Sequence, residues 1–246
     1  MCFRVHRYFP KHRCIEDQSV KNIKSTWLAK YYLARFLIDP RHKTKAIRRT
    51  VRSELKLTIS RQQVHRARKL ALKILYGTLE EQYAQLYDYV AEVMLKNPGT
   101  TMFVVEEEET CRFEKMYVRL AACKEGFKHC RPIIGLDGCH LKGKYGGVLL
   151  TAVSVDPNNN IFPIAWAVVK QEAFETWDWF LSTIETDLDL QDHSNLTFIS
   201  DKQKGLIKAM GKNFPEADHR FCVRHLHGNM KSAGHTGNHS YSTLFT

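Results

Sequence analysis

The chain has 246 residues, enough for one large domain or two modest ones, and its 43% apolar and 26% charged residues are ordinary globular usage. That balance excludes a wholly disordered or collagen-like chain, and the longest apolar stretches, Val148 to Val155 and Ile161 to Val169, are too short to span a bilayer as a helix. The net charge of +11 is concentrated at the front, where residues 1–75 hold 20 Lys and Arg against four acids, while residues 76–110 hold one Lys against eight acids. A basic block of this kind is the footprint of phosphate-backbone binding, and it also suits a solvated helical surface. The first residues lack an apolar h-region and a cleavage site, so an intracellular protein without a secretory signal is expected. Seven cysteines, an odd number, read as thiols or metal ligands rather than a disulfide framework.

From Ser25, the residues Trp27, Leu28, Tyr31, Tyr32, Leu33, Phe36 and Leu37 recur at helical spacing up to Asp39-Pro40. A second helix is expected over Lys43 to Leu55, with Ala46, Ile47, Val51 and Leu55 inward. Ser60 then stands as an N-cap, with Gln63 placed to complete a capping box. The helix it opens displays Arg61, His65, Arg66, Arg68, Lys69 and Lys73 around Val64, Ala67, Leu70, Ala71 and Ile74. Helix, short turn and basic helix is the arrangement that lays a recognition helix in a DNA major groove, and it is equally that of an ordinary bundle. A fourth helix, Glu80 to Lys96, ends at the breaker Asn97-Pro98-Gly99, so residues 25–97 read as one basic helical segment.

Beyond that breaker the period becomes that of strands. Thr101 to Val105 and Met116 to Ala122 flank an acidic turn, and Ile133 to Leu136, Val148 to Val155 and Ile161 to Val169 follow as apolar runs. Their continuity suggests that the middle of the sheet is covered on both faces. A helix over Thr176 to Asp187, a strand over Leu196 to Ser200, a helix over Gly205 to Asn213, a strand over His219 to Cys222 and a helix from Val223 complete the order. This order fits a ribonuclease H-like α/β fold, with three antiparallel strands and then crossovers that add parallel ones. Residues 98–231 would form that core, in incomplete form, and residues 232–246 read as an unrelated polar tail.

Asp137 directly follows the run Ile133-Ile134-Gly135-Leu136, and Asp201 directly follows Leu196 to Ser200. Carboxylates at the ends of adjacent core strands can converge, and two that do so repel unless a divalent cation sits between them; oxygen ligands select Mg²⁺ or Mn²⁺. Such ions can activate a water or a 3′-hydroxyl against phosphorus. An aspartate at a strand end also commonly caps the following turn.

The stretch Arg131-Pro132-Ile133-Ile134-Gly135-Leu136-Asp137-Gly138-Cys139-His140-Leu141-Lys142-Gly143-Lys144-Tyr145-Gly146-Gly147 resembles the first-aspartate motif of plant Mutator-like (MULE) transposases. Ile199-Ser200-Asp201-Lys202-Gln203-Lys204-Gly205-Leu206 resembles their second-aspartate motif, and Cys222-Val223-Arg224-His225 their C-x-x-H element. The resemblance implies a DDE-type transposase with Asp137 and Asp201 as its first two metal-binding carboxylates. It also implies DNA as partner, through transposon terminal inverted repeats, with nuclear localisation and possible homo-oligomers. The family's third acid is a glutamate downstream of the C-x-x-H element, and the chain ends 24 residues beyond Cys222, so impaired cleavage with retained DNA binding is expected. Glu172 or Glu175, at the start of the helix after the third apolar run, lies where ribonucleases H carry a helical glutamate.

Phe9-Pro10-Lys11-His12-Arg13-Cys14 resembles the end of the family's zinc-binding DNA-binding domain, so residues 1–24 read as its remnant or as a disordered arm. Cys2, His6, His12 and Cys14 are the ligands at hand there, and Cys222 with His225 offers either a zinc half-site or a packed Cys and a hydrogen-bonded His. Cys111, Cys123, Cys130 and Cys139 have no ligand spacing and are expected as buried thiols. Two further functional classes stay open: a non-enzymatic, transposon-derived DNA-binding or regulatory protein, and a nuclease acting on hybrids through the helix glutamate.

Overall fold

The computed structural model describes Tyr8, residues 23–190 and residues 192–232. The candidate zinc ligands Cys2, His6, His12 and Cys14, and nearly all of the polar tail, lie outside them. The chain divides into two compact units, Met1–Ala84 and Gln85–Thr246. Among the described residues, no helix is long and apolar enough to cross a membrane.

The first unit is helical: α1 (Ser25–Tyr31), α2 (Leu33–Ile38), α3 (Thr44–Leu55), α4 (Arg61–Tyr76) and α5 (Leu79–Ala84). The stretch from Ser25 forms two helices rather than one, because Tyr32 leaves helical geometry at φ −100° and ψ 18°. Its buried hydroxyl donates to Glu54 Oε2 at 3.0 Å, and burial pushes the phenol up to about 12. One cluster joins Leu28, Ala29, Phe36, Ile47, Val51, Val64, Ala67 and Ala71, with the small side chains of α4 leaving room for its neighbours. Ser60 caps α4 as expected: Gln63 N–H donates to Ser60 Oγ at 3.1 Å, and Ser60 N–H donates to Gln63 Oε1 at 2.8 Å. Such a cap is worth about 1 kcal/mol.

The second unit holds α6 (Leu86–Lys96), β1 (Thr101–Glu106), β2 (Phe113–Arg119), α7 (Ala121–Phe127), β3 (Ile133–His140), β4 (Val148–Val155), β5 (Ile161–Val169), α8 (Phe174–Leu188), β6 (Thr197–Ser200), α9 (Lys204–Asn213), β7 (Asp218–Phe221) and α10 (Val223–Ser232). It is a mixed α/β unit built on a seven-stranded sheet in the order β1-β2-β5-β4-β3-β6-β7. Neighbours from β1 through β3 are antiparallel, and β6 and β7 continue parallel to β3.

The helix expected from Glu80 to Lys96 breaks at Gln85, and its second half, α6, packs on the sheet through Val90, which clusters with Met102 and Val118. The apolar run continuing past Arg119 is not strand: Leu120 caps α7, whose Cys123 is buried. The centre of the sheet is fully covered on one face only, because β4 alternates strictly, burying Val148, Leu150, Ala152 and Ser154 while the residues between them are half-buried. The covered face packs Ile134, Leu136, Leu150 and Phe198 against Trp177, Phe180, Leu181 and Ile184 of α8 and Leu206, Ala209 and Met210 of α9. Each such large side chain contributes about 2 kcal/mol of burial. Pairing of β4 with β5 shifts between Ala152 and Val153, opposite Ala165 and Pro163, so the residue without a ladder N–H stands at the bulge.

At the opposite end of α8 from the site described below, Asp187 receives hydrogen bonds from Thr101 Oγ1 (2.7 Å), Tyr117 hydroxyl (3.0 Å) and Arg119 Nε (2.7 Å). Arg119 also donates to the Gly99 carbonyl at 2.7 Å, and this ion pair ties α8 to the β1–β2 hairpin.

Candidate active site

β3 runs on to His140, so Asp137 lies within the strand rather than after it. Its backbone pairs with Thr151 of β4, whose hydroxyl donates to the Asp137 carbonyl at 3.1 Å. This long-range pairing overrides the turn-like composition of Asp137-Gly138. On its other side β3 is paired only as far as Gly135, opposite Ile199 of β6. Asp137, within β3, and Asp201, directly after β6, each stand two residues past that final pair. Asp137 is exposed and Asp201 half-buried.

Each aspartate is satisfied locally. Asp137 Oδ1 accepts from Gly138 N–H at 2.9 Å, and Asp201 Oδ1 accepts from Gln203 N–H at 3.1 Å. Among the described residues, no three His, Cys, Asp or Glu side chains stand together so as to hold an ion as placed. The groups at the strand ends are carboxylate oxygens, the donor type that Mg²⁺ and Mn²⁺ take.

Glu172, in the turn between β5 and α8, packs against Gly138. A Cβ on residue 138 would stand 2.9 Å from the Glu172 carboxyl carbon and from Oε1. The buried Trp177 indole N–H donates to Glu172 Oε1 at 3.2 Å. Burial raises the pKa of Glu172 most; the Trp177 bond lowers it, the Asp201 charge raises it, His140 lowers it and the Asp137 charge raises it, for a net upward shift. Glu172 thus lies within electrostatic reach of both aspartates. Of the two glutamates considered at this end of α8, Glu175 is exposed on the first turn.

The loop after Asp201 meets the Glu172 turn. Gln203 caps α9, accepting from Leu206 N–H, and its Nε2 donates to the Glu172 carbonyl at 3.4 Å. The C-x-x-H element joins the same end of the sheet: β7 pairs with β6 up to Ser200 and Phe221, and Cys222 N–H donates to the Ser200 carbonyl at 2.7 Å. His225 follows on α10, and its Nδ1 is buried without a hydrogen-bond partner. Cys222 and His225 provide two donors where a closed zinc site takes four, so among the described residues the set does not fit one. Of the other four cysteines expected as buried thiols, only Cys123 is buried; Cys130 is half-buried, and Cys111 and Cys139 are exposed.

In the helical unit, Arg61, His65, Arg66, Lys69 and Lys73 are exposed, and Arg68 is half-buried. His65, Lys69 and Lys73 recur every fourth residue, with Arg66 beside them, opposite the buried Val64, Ala67 and Ala71. The Glu172, Gly138 and Trp177 arrangement was not assigned from sequence. Its visible signals are a glycine directly after Asp137 and a glutamate five residues before a tryptophan.

Residues 133–229, which include both aspartates and the C-x-x-H element, match the family model of the MULE transposase domain. The chain is also 22% identical over 143 residues to Protein FAR1-RELATED SEQUENCE 6 of Arabidopsis thaliana, an overlap covering 58% of this chain and 20% of that protein. The chain therefore spans about a fifth of that relative's length.

Proposed function

We propose that this chain, part of which matches the MULE transposase domain, binds DNA and carries a ribonuclease H-like core for divalent-metal-dependent DNA strand cleavage. The observation that carries this reading is the placement of Asp137 in β3 and of Asp201 directly after the neighbouring parallel strand β6, each two residues past their last shared pair and both inside the matched segment. In it, Asp137 and Asp201 hold Mg²⁺ or Mn²⁺ through their carboxylates. The ion, when bound, supplies Lewis-acid polarisation of the scissile phosphate and a more acidic attacking water. In hydrolysis the water oxygen bonds to phosphorus as the phosphorus–oxygen bond to the leaving strand breaks, the proton of the water passes to solvent, and the leaving oxygen takes a proton back from solvent. Exposed Lys202 and Lys204, beside Asp201, supply positive charge to keep a polyanionic strand near an acidic centre.

The exposed basic face of α4, with Arg61, His65, Arg66, Lys69 and Lys73 and with Arg68 at its flank, is the DNA-contacting surface in this reading, and a nuclear location follows from it. The DNA sequence class is that of transposon ends, by similarity to the matched family. Zinc at Cys222 and His225 would need further donors.

The test is nicking of supercoiled DNA with Mg²⁺ or Mn²⁺, alongside Asp137→Ala, Asp201→Ala and an EDTA control. Activity lost in both variants supports the reading. Activity equal to that of the variants overturns it in favour of a transposon-derived DNA-binding protein, a second reading favoured by the separate packing of the helical unit with its outward basic face.

A further inference from the structure

We propose that the sheet unit carries a DNA-contacting surface of its own, separate from α4, in which Lys142, Lys202, Lys204 and Lys208 meet the phosphates of the strand held at the Asp137 and Asp201 end. The proposal rests on the reading of the protein as DNA-binding given above, and not on cleavage or on a bound metal.

The topology gathers these lysines. β3 and β6 run parallel, so the hairpin after β3 and the loop after β6 leave the sheet at one end, the end at which Asp137 and Asp201 lie. Lys142 stands in the hairpin between β3 and β4, and Lys202 in the loop that follows Asp201. Lys204 opens α9, and Lys208 follows four residues later, on the same face and about 6 Å further along the axis. That face is opposite the buried Leu206, Ala209 and Met210, and all four lysines are exposed.

Their lack of acidic partners sets them apart. Elsewhere in this unit Lys96, Lys115, Lys128, Lys170 and Lys212 pair with the carboxylates of Glu92, Glu114, Glu125, Glu107 and Asp178. Among the described residues, Lys142, Lys202, Lys204 and Lys208 pair with none. Lys202 lies over the Phe221 ring at 5.0 Å from its centroid, and Lys208 over the Phe174 ring at 4.3 Å. Such contacts position an ammonium while leaving its positive charge uncompensated.

An ordinary solvated helix surface mixes both signs in pairs four residues apart. α9 instead holds Lys204, Lys208 and Lys212 with no acid, and residues 141–147 of the hairpin hold Lys142 and Lys144 with no acid. Uncompensated cations beside an acidic strand end suit a polyanion, which the aspartates alone would repel.

The experiment is fluorescence anisotropy of a labelled duplex with the full chain, in EDTA and at several salt concentrations, each variant checked for a wild-type-like melt. Lys204→Gln combined with Lys208→Gln is expected to weaken binding about tenfold and to lower the slope of log affinity against log salt by about 1.8, at about 0.9 for each phosphate met. Lys142→Gln should lower it by about 0.9, and carries the test should the α9 double variant fail to fold. Lys96→Gln combined with Lys128→Gln removes the same charge from paired lysines of the same unit and should keep the wild-type slope. A wild-type slope in the α9 double variant, or in Lys142→Gln standing in for it, with loss in Lys69→Ala combined with Lys73→Ala, overturns this surface and leaves the α4 reading intact. An equal fall in the Lys96 and Lys128 double variant also overturns it, because net charge then accounts for the effect. Wild-type chain that leaves the duplex unbound at low salt overturns the DNA-binding reading, and this surface with it.

Discussion

Gly205 and Phe174 approach so closely that a Cβ on residue 205 would stand 2.7 Å from the Phe174 amide nitrogen. The next nearest atom, 3.0 Å away, is the carbonyl carbon of Ala173, so relief requires backbone movement rather than rotation of a flexible side chain. The contact joins the start of α9, just past Asp201, to the start of α8, just past Glu172.

Gly205→Ala is therefore expected to destabilise the chain by about 1–3 kcal/mol in urea unfolding, the usual cost of overpacking. Gly211, on the same helix, is exposed with no neighbour within 4 Å. Gly211→Ala should be neutral or stabilising by up to about 1 kcal/mol, since glycine is the poorer helix former. Equal losses at both positions would refute the importance of the close contact.

Asp187→Asn removes the anionic partner of Arg119, whose side chain is only 4% exposed. The expected loss is about 3–5 kcal/mol, because a buried guanidinium is left uncompensated. Asp187→Asn combined with Arg119→Met should recover a large part of it. A thermal melt of the two variants decides the matter, and a double variant no better than the single one would locate the cost elsewhere.

Burial acts to raise the pKa of Asp187, but hydrogen bonds from Arg119, Thr101 and Tyr117 and the Arg119 charge outweigh it, for a net lowering. A carboxyl lowered on folding contributes stability above its unfolded pKa, about 3.9, which is lost as pH falls through the folded value. His219, whose Nε2 lies 2.7 Å from Ser200 Oγ, is held below its ordinary value by burial. A histidine lowered on folding costs stability as pH falls below its unfolded pKa, about 6.5, down to the folded value. Denaturation midpoints should therefore decline in two stages on acidification, and His219→Gln should flatten the milder one.

On the reading of α4 as a DNA-contacting helix, Lys69→Ala and Lys73→Ala should each weaken binding similarly across sequences. Each should also reduce the slope of log affinity against log salt by about 0.9 if its ammonium meets a phosphate. Fluorescence anisotropy with labelled duplexes at several salt concentrations gives both quantities. An unchanged slope in both variants would remove these lysines from the interface.

The strands were legible where an apolar run was bounded by turn residues, as for Val148 to Val155 and Ile161 to Val169, whose limits coincide with β4 and β5. Asp137 and Asp201 stood out for the same reason, each at the end of such a run. The extension of β3 through Gly138 was not legible, because its cause is pairing with β4 rather than local preference. Nor was α7, whose first residues continue the apolar run of β2 without a sequence break. Arg119 and Asp187 are 68 positions apart, and Gly138 and Glu172 meet only once three strands are in place, so neither pair leaves a periodic trace. The capping box at Ser60 was readable because both halves lie within one turn.

The seam between Ala84 and Gln85 bears on how these segments could be exchanged between proteins. A transfer carrying residues 23–84 keeps the cluster around α4 whole, so the basic helices can travel as a portable module. A transfer cut at the conspicuous Pro98 would also take α6, stripping Val90 from Met102 and Val118 and leaving the outer strands with a bare apolar patch. Grafts made at the first site should yield two soluble products, and grafts made at the second should yield an aggregation-prone sheet.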